Sequence, residues 1–166
     1  RVTIDYRPCD LVKLCHSCLI SVKQARPLEH VEYQEQYPVD SLYIKTDVVK
    51  FKQVIINLLT NASKFTKEGH IRLSFSVDDG NRFVTVTISD TGIGIPKEKA
   101  EAVFERFVKL NQYAQGTGLG LSLCRIIVER LGGKIWLDTS YTEGARFMFS
   151  IPLTIAKKDE LAEDQE

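Results

Sequence analysis

Gln53-Val-Ile-Ile-Asn-Leu-Leu-Thr-Asn-Ala-Ser-Lys-Phe-Thr66 carries two helical patterns at once. Phe51, Ile55, Leu58, Leu59 and Ala62 recur at helical spacing and define one buried face. Asn57, Asn61 and Lys64 stand at i, i+4 and i+7, one above the other on a different face. An Asn oxygen can ligate Mg²⁺, which keeps several waters and takes its remaining oxygens from phosphates. The Lys64 ammonium can meet phosphate charge directly. Two carboxamides and an ammonium in a row therefore suit a metal-bound polyphosphate, and the same spacing also fits a plain solvated face. The rest of the chain has to decide between these readings.

Upstream, Val2, Ile4 and Tyr6 alternate, which predicts a short strand over residues 1–7. Pro8-Cys9-Asp10 opens a helix with Leu11, Leu14, Cys15, Cys18, Leu19 and Val22 on one face, and Ala25-Arg26-Pro27 ends it. Residues 29–37 and 42–44 predict two further strands. Asp47 is placed to cap the asparagine helix, which Gly69 ends. Residues 70–77 and 82–89 read as a hairpin around Asp78-Asp79-Gly80-Asn81. Residues 95–116 form a segment long enough for a lid, with one short helix over 98–106. Phe104 and Phe107 within it are placed to anchor it to the core. A helix over 121–131 stops at Gly132-Gly133, and 134–138 pairs with 146–152 as the last strands. The implied fold is an α/β two-layer sandwich: a mixed, mainly antiparallel sheet with about three helices on one face. One domain spans 1–155, and 156–166 reads as a charged tail or linker.

Lysines plus arginines and aspartates plus glutamates number 22 each, and this balance argues against a nucleic-acid or polybasic membrane binder. No apolar run reaches bilayer-spanning length, and no signal-peptide pattern opens the chain. Cys15-His16-Ser17-Cys18 is a lone CxxC inside a helical run. It reads as core cysteine in a reducing compartment, with metal or redox work as the lesser alternative.

Two glycine motifs follow the asparagine helix. In Asp90-Thr-Gly92-Ile-Gly94 a carboxylate ends a strand and enters a glycine turn. It can accept a hydrogen bond from the exocyclic amine of adenine and reject guanine, or simply cap its own turn. Gly116-Thr117-Gly118-Leu119-Gly120 leads into a helix start, where exposed amides favour phosphate. It is neither a Walker A motif nor a dinucleotide fingerprint, and a structural turn is the alternative.

Taken together, the chain resembles the catalytic, ATP-binding domain of sensor histidine kinases, a branch of the Bergerat-fold ATP-binding group shared with gyrase and mismatch-repair ATPases. The likeness runs from the opening strand to Ile151-Pro152-Leu153. Asn57-Leu-Leu-Thr-Asn61-Ala-Ser-Lys64-Phe65-Thr66 is similar to the N box, and Asp90-Thr-Gly92-Ile-Gly94 to the first glycine box. Phe104-Glu-Arg-Phe107 is similar to the F box, and Gly116-Thr-Gly118-Leu-Gly120-Leu121 to the second glycine box. The resemblance implies that Asn61, with Asn57, holds Mg²⁺ and that Lys64 contacts phosphates. It implies that Phe65 stands beside adenine, that Asp90 binds its amine, and that amides around Thr117 to Leu121 cradle phosphate. Arg106 is a further candidate for neutralising phosphate charge. Two departures stand out. Ala145 occupies a position where many relatives carry Ser or Thr. None of His16, His30 and His70 has the sequence context of a phosphoacceptor, so the acceptor is expected on another domain.

The hydrolytic relatives carry Glu at the position of Asn57, and Asn cannot take a proton at neutral pH. The expected activity is therefore transfer of the γ-phosphoryl group of ATP to a histidine on the dimerisation and phosphoacceptor domain of the same dimeric kinase. A response-regulator receiver domain is the expected downstream partner, and no nucleic acid is expected. Membrane attachment is expected only through other parts of the parent, with this domain in the cytoplasm. The alternatives are a Bergerat-fold ATPase or serine kinase, and a catalytically inactive ATP-binding or partner-binding module.

Overall fold

The computed structural model describes residues 3–105 and 120–159. The asparagine helix is its centre. α2 (Val48–Phe65) buries Phe51, Val54, Ile55, Leu58, Leu59, Ala62 and Ser63, and its N-cap Asp47 accepts from Lys50 N. α1 (Leu11–Ala25) and α3 (Gly120–Arg130) both pack on it. α1 buries Leu11, Leu14, Cys15, Cys18, Leu19 and Val22, the face that helical spacing predicts. Burial pushes the Cys15 thiol well above its ordinary range and Cys18 to about 11, so both behave as core residues.

The helices cover one face of a five-stranded sheet made of β2 (Val31–Gln36), β4 (Gly69–Val77), β5 (Phe83–Asp90), β6 (Lys134–Leu137) and β7 (Arg146–Pro152). The order is β2-β4-β5-β7-β6, and only the β2–β4 pair is parallel. Period-two alternation turns Ile71, Leu73, Phe75, Val84, Val86, Ile88, Phe147, Phe149 and Ile151 toward the helices. Phe51 of α2 meets Phe149 edge-on, with centroids 5.4 Å apart. Each such side chain contributes about 1.5–3 kcal/mol on leaving water. Polar and small residues such as Arg72, Ser74, Thr87 and Ser150 fill the other face, as the two-layer expectation requires.

β1 (Arg7–Asp10) and β3 (Tyr43–Thr46) form a separate antiparallel pair. The C-terminal segment adds to the free edge of β3 through an Ile44–Ile155 bridge, with Lys45 N donating to Thr154 O and Ala156 N to Tyr43 O, both 2.8 Å. Ala156 is buried.

Three local expectations need correction. The first strand is Arg7–Asp10, not residues 1–7, because pairing with β3 decides where it forms. Pro8 is tolerated there on an edge strand. The asparagine helix ends at Phe65 with Thr66 as C-cap, and Gly69, at φ +108°, instead starts β4. The expected helix over 98–106 is replaced, in its described part, by 3₁₀ turns at Lys97–Lys99 and Ala102–Phe104. Glu105, the C-cap of the second turn, is in extended conformation. Phe104 is buried edge-on against Phe147 at 5.9 Å, which anchors this end of the segment. Phe107 lies outside the described residues. No helix among the described residues is long and apolar enough to cross a membrane.

Candidate functional site

Three stretches far apart in sequence converge beside the last turns of α2. Asn61, Ala62 and Phe65 from the helix, Asp90, Ile93, Gly94 and Ile95 from the end of β5 and its turn, and Ala145 and Phe147 from β7 line one pocket. Asp90 is the only acid among the described residues that line it. The carboxylate is 5% exposed at the end of the central strand. Burial pushes its pKa up, and hydrogen bonds from the Ala145 and Gly92 amides only partly offset this. Both amides donate to Oδ1, at 3.0 and 2.9 Å, so Oδ2 takes neither bond. Among the described residues Oδ2 is left as the oxygen that could accept a donor from a ligand.

The turn after Asp90 requires its glycines. A Cβ on Gly92 would stand 2.1 Å from Phe65 O, a contact no side chain can make. Gly94 has φ +75°. Ile93 N donates to Phe65 O at 3.1 Å, which ties the turn to the end of α2.

Asn57 stands one turn before Asn61 and faces the start of α3. A Cβ placed on Gly120 would meet Asn57 Oδ1 at 3.7 Å. The asparagine face thus looks across at a helix N-terminus, where unsatisfied amides and the helix dipole favour anions. Lys64 is exposed in the last turn of α2. Leu121 is buried in the core, so only its backbone could serve a ligand. Cys124, one turn into α3, has its thiol pushed up to about 12 by burial.

The pocket therefore gathers Asn61, Phe65, Asp90 and Gly94, while Asn57 and Gly120 meet beside it. Arg106, Gly116, Thr117, Gly118 and Leu119 lie outside the described residues. Sequence reasoning did not single out the apolar walls supplied by Ala62, Ile93, Ile95 and Phe147, nor the Ala145 amide on Asp90. The available signal was apolar residues interleaved with the turn glycines and the period-two pattern of β7. Ala145 itself lines the pocket.

Known proteins share this fold and sequence. Residues 46–155 match the family described as histidine kinase-, DNA gyrase B-, and HSP90-like ATPase. The sensor histidine kinase WalK of Bacillus subtilis is 34% identical over 137 residues, covering 80% of this chain and 22% of that protein. The adaptive-response sensory kinase SasA of Synechococcus sp. (strain JA-3-3Ab) is 38% identical over 146 residues, covering 86% and 38%. The chain thus spans well under half of the curated relatives it matches. The solved catalytic domain of histidine kinase ThkA superposes with a TM-score of 0.77 at 31% identity, covering 89% of this chain and 97% of that one. ThkA is also solved in complex with its response regulator TrrA, where the TM-score is 0.77 at 29% identity, covering 91% and 42%. Sequence motifs, fold and pocket converge on one conclusion: the chain belongs to the histidine kinase-, DNA gyrase B- and HSP90-like ATPase family, as a catalytic, ATP-binding domain of the sensor histidine kinase type.

Proposed function

We propose that this domain binds Mg-ATP between α2, the Asp90 turn and the start of α3, and transfers the γ-phosphoryl group to a histidine on a separate dimerisation and phosphoacceptor domain. The observation that carries this reading is the Asp90 pocket, which joins Asn61, Phe65 and Gly94 around a buried carboxylate with one uncommitted oxygen. In this reading the flat adenine ring meets Phe65, Ile93 and Ile95, and its amine donates to Asp90. The phosphates then extend toward Asn57, Gly120 and Lys64, where helix amides and an ammonium neutralise charge. Thr117, Gly118, Leu119, Gly116 and Arg106 belong to the same phosphate-facing segment in this reading.

The donor set fits Mg²⁺. Asn61 and Asn57 supply neutral oxygens of the kind this ion accepts, with water and phosphate completing its sphere. Among the described residues no cluster of three His, Cys, Asp or Glu could hold a metal alone. When bound, the ion supplies neutralisation of charge on the phosphate oxygens. The protein's own share is positioning and electrostatics. An imidazole nitrogen of the partner attacks the γ-phosphorus, the bond to the bridging oxygen breaks, and ADP leaves with its electron pair. Asn57 offers no base for water, so the site favours a nucleophile brought by a partner. The ThkA–TrrA complex supports a response-regulator receiver domain as the next acceptor.

Calorimetric titration of the chain with ATP and Mg²⁺, beside phosphate release, tests this. The expected result is saturable binding with little turnover until an acceptor domain is supplied. Fast multiple-turnover hydrolysis without a partner would overturn it in favour of an ATPase.

A further inference from the structure

The loop between β6 and β7 is tied to Asp90 more closely than a connection needs to be. Tyr141 Oη donates to the Asp90 carbonyl at 2.7 Å. Asp90 N donates to Ala145 O at 2.9 Å, and Ala145 N returns a bond to Asp90 Oδ1 at 3.0 Å. With Gly92 N also on Oδ1, every polar atom of Asp90 except Oδ2 carries a bond among the described residues. The loop lies so close that a Cβ on Gly144 would stand 2.2 Å from the Asp90 carbonyl oxygen.

Tyr141 is itself held. The Arg146 guanidinium sits over its ring, 4.1 Å from the centroid. Arg146 Nε donates to Ser89 Oγ at 2.8 Å, and Nη1 lies 3.7 Å from Asp138 Oδ2. Asp138 Oδ1 in turn accepts from Ser140 N at 3.0 Å and Ser140 Oγ at 2.6 Å. Burial raises the Tyr141 phenol above its ordinary pKa, which keeps it a neutral donor. The chain of contacts ends on one peptide unit, between Asp90 and Thr91. The N–H of that unit donates to His70 O at 3.1 Å, so the peptide is held by β4 on its amide side and by Tyr141 on its carbonyl side.

We propose that Tyr141 is a positioning residue for base recognition: its hydroxyl fixes the Asp90–Thr91 peptide, and with it the carboxylate oxygen offered to the adenine amine, while Arg146 holds the Tyr141 ring in place. This rests on the reading that Asp90 receives that amine. Without the hydroxyl that peptide keeps only its Thr91 N bond to His70 O, and the aim of Oδ2 at the base loosens. The phosphate-facing residues on α2 and α3 are untouched.

The test is a pair of titrations on the whole chain with Mg²⁺, one with ATP and one with purine riboside 5′-triphosphate, which lacks the exocyclic amine. Tyr141→Phe keeps the ring under the guanidinium and removes only the donor. ATP affinity should fall about 3- to 10-fold, the loss of one hydrogen bond's worth of organisation, and affinity for the amine-free nucleotide by less than about twofold. Thermal melting without nucleotide monitors the fold. Equal losses for both nucleotides, or no loss for either, would overturn the positioning role. If Tyr141→Phe does not fold, the same ratio is read on Arg146→Met, which leaves the hydroxyl but frees the ring. A shrunken ATP preference there supports the clamp, and an unchanged one overturns it. If the unsubstituted chain binds the two nucleotides equally, the Asp90 reading itself fails and takes the clamp with it.

Discussion

Asp90 is costly to the fold and, in the proposed function, useful to the ligand. Its carboxylate is buried, and burial outweighs the Ala145 and Gly92 amides that favour its ionised form. A carboxyl whose folded pKa is raised contributes stability below its ordinary range and loses it as pH rises through the folded value. At neutral pH the free domain therefore holds a charge it would be more stable without. Asp90→Asn keeps an oxygen for the two amides and removes the charge. The nucleotide-free mutant should melt higher than the parent at neutral pH, and this gain should vanish as pH drops below the ordinary carboxylate range. The same change places a donor where the adenine amine needs an acceptor, a mismatch of about 1–3 kcal/mol. ATP binding should thus weaken roughly 5- to 150-fold, with GTP affected less. Comparable losses for both nucleotides would show that Asp90 does not read the base.

At the scale of elements, α2 is fixed at both ends by contacts outside itself. Asp47 Oδ1 accepts from Lys50 N at 3.1 Å, its Oδ2 accepts from Asp5 N at 2.9 Å, and the Lys50 ammonium lies 3.3 Å away. Burial alone would raise this carboxyl, but the two amides and the ammonium hold it below its ordinary range. Its stabilisation is present above that range and is lost on acidification. Asp47→Ala should cost about 1–2 kcal/mol, the loss of a cap. For a chain of this size that lowers Tm by about 2–8 °C, and the difference should narrow in acid. An unchanged Tm at neutral pH would remove the cap from the account. This cap was legible beforehand, as were α1 and α2, because a helix writes its buried face into adjacent turns. The start of β1 was not, because its register depends on β3, more than thirty residues away. The site divides in the same way. Asn61, Phe65, Asp90 and Gly94 stand in local motifs. The bonds from Tyr141 and Ala145 to Asp90 span 51 and 55 residues, and no local pattern announces them. The 3₁₀ turns after Pro96 escaped for another reason: one helical-looking turn has the same apolar spacing whether or not it propagates.

For the whole molecule, the choice between transfer and hydrolysis rests on the face that α2 turns toward α3. Asn61→Ala removes the oxygen proposed to ligate Mg²⁺ from a half-buried position without emptying the core. The fold should persist and the Mg²⁺-dependent part of ATP affinity should fall about tenfold, while metal-free binding changes less. Asn57→Glu places a carboxylate opposite the start of α3. It should weaken ATP binding by charge repulsion and slow transfer to a supplied acceptor domain. Hydrolysis should rise only slightly, because a water must also be positioned. Metal titrations for the first variant, and phosphotransfer beside phosphate release for the second, decide the matter. If both behave like the parent, the asparagine face is a solvated surface and the reading fails at its centre.

The three-stranded layer around β3 has a mechanical consequence. β1 enters opposite Thr46, since Arg7 pairs there, while the C-terminal segment leaves opposite Tyr43, where Ala156 is bonded. The two flanks of the domain thus attach at opposite ends of one short strand. Tension between them would load both ladders lengthwise, straining their hydrogen bonds together instead of peeling them one at a time. Load on the N-terminal flank arrives at Thr46, next to the Asp47 cap of α2, so a pull on that flank is felt first at the root of the helix that carries Asn57 and Asn61.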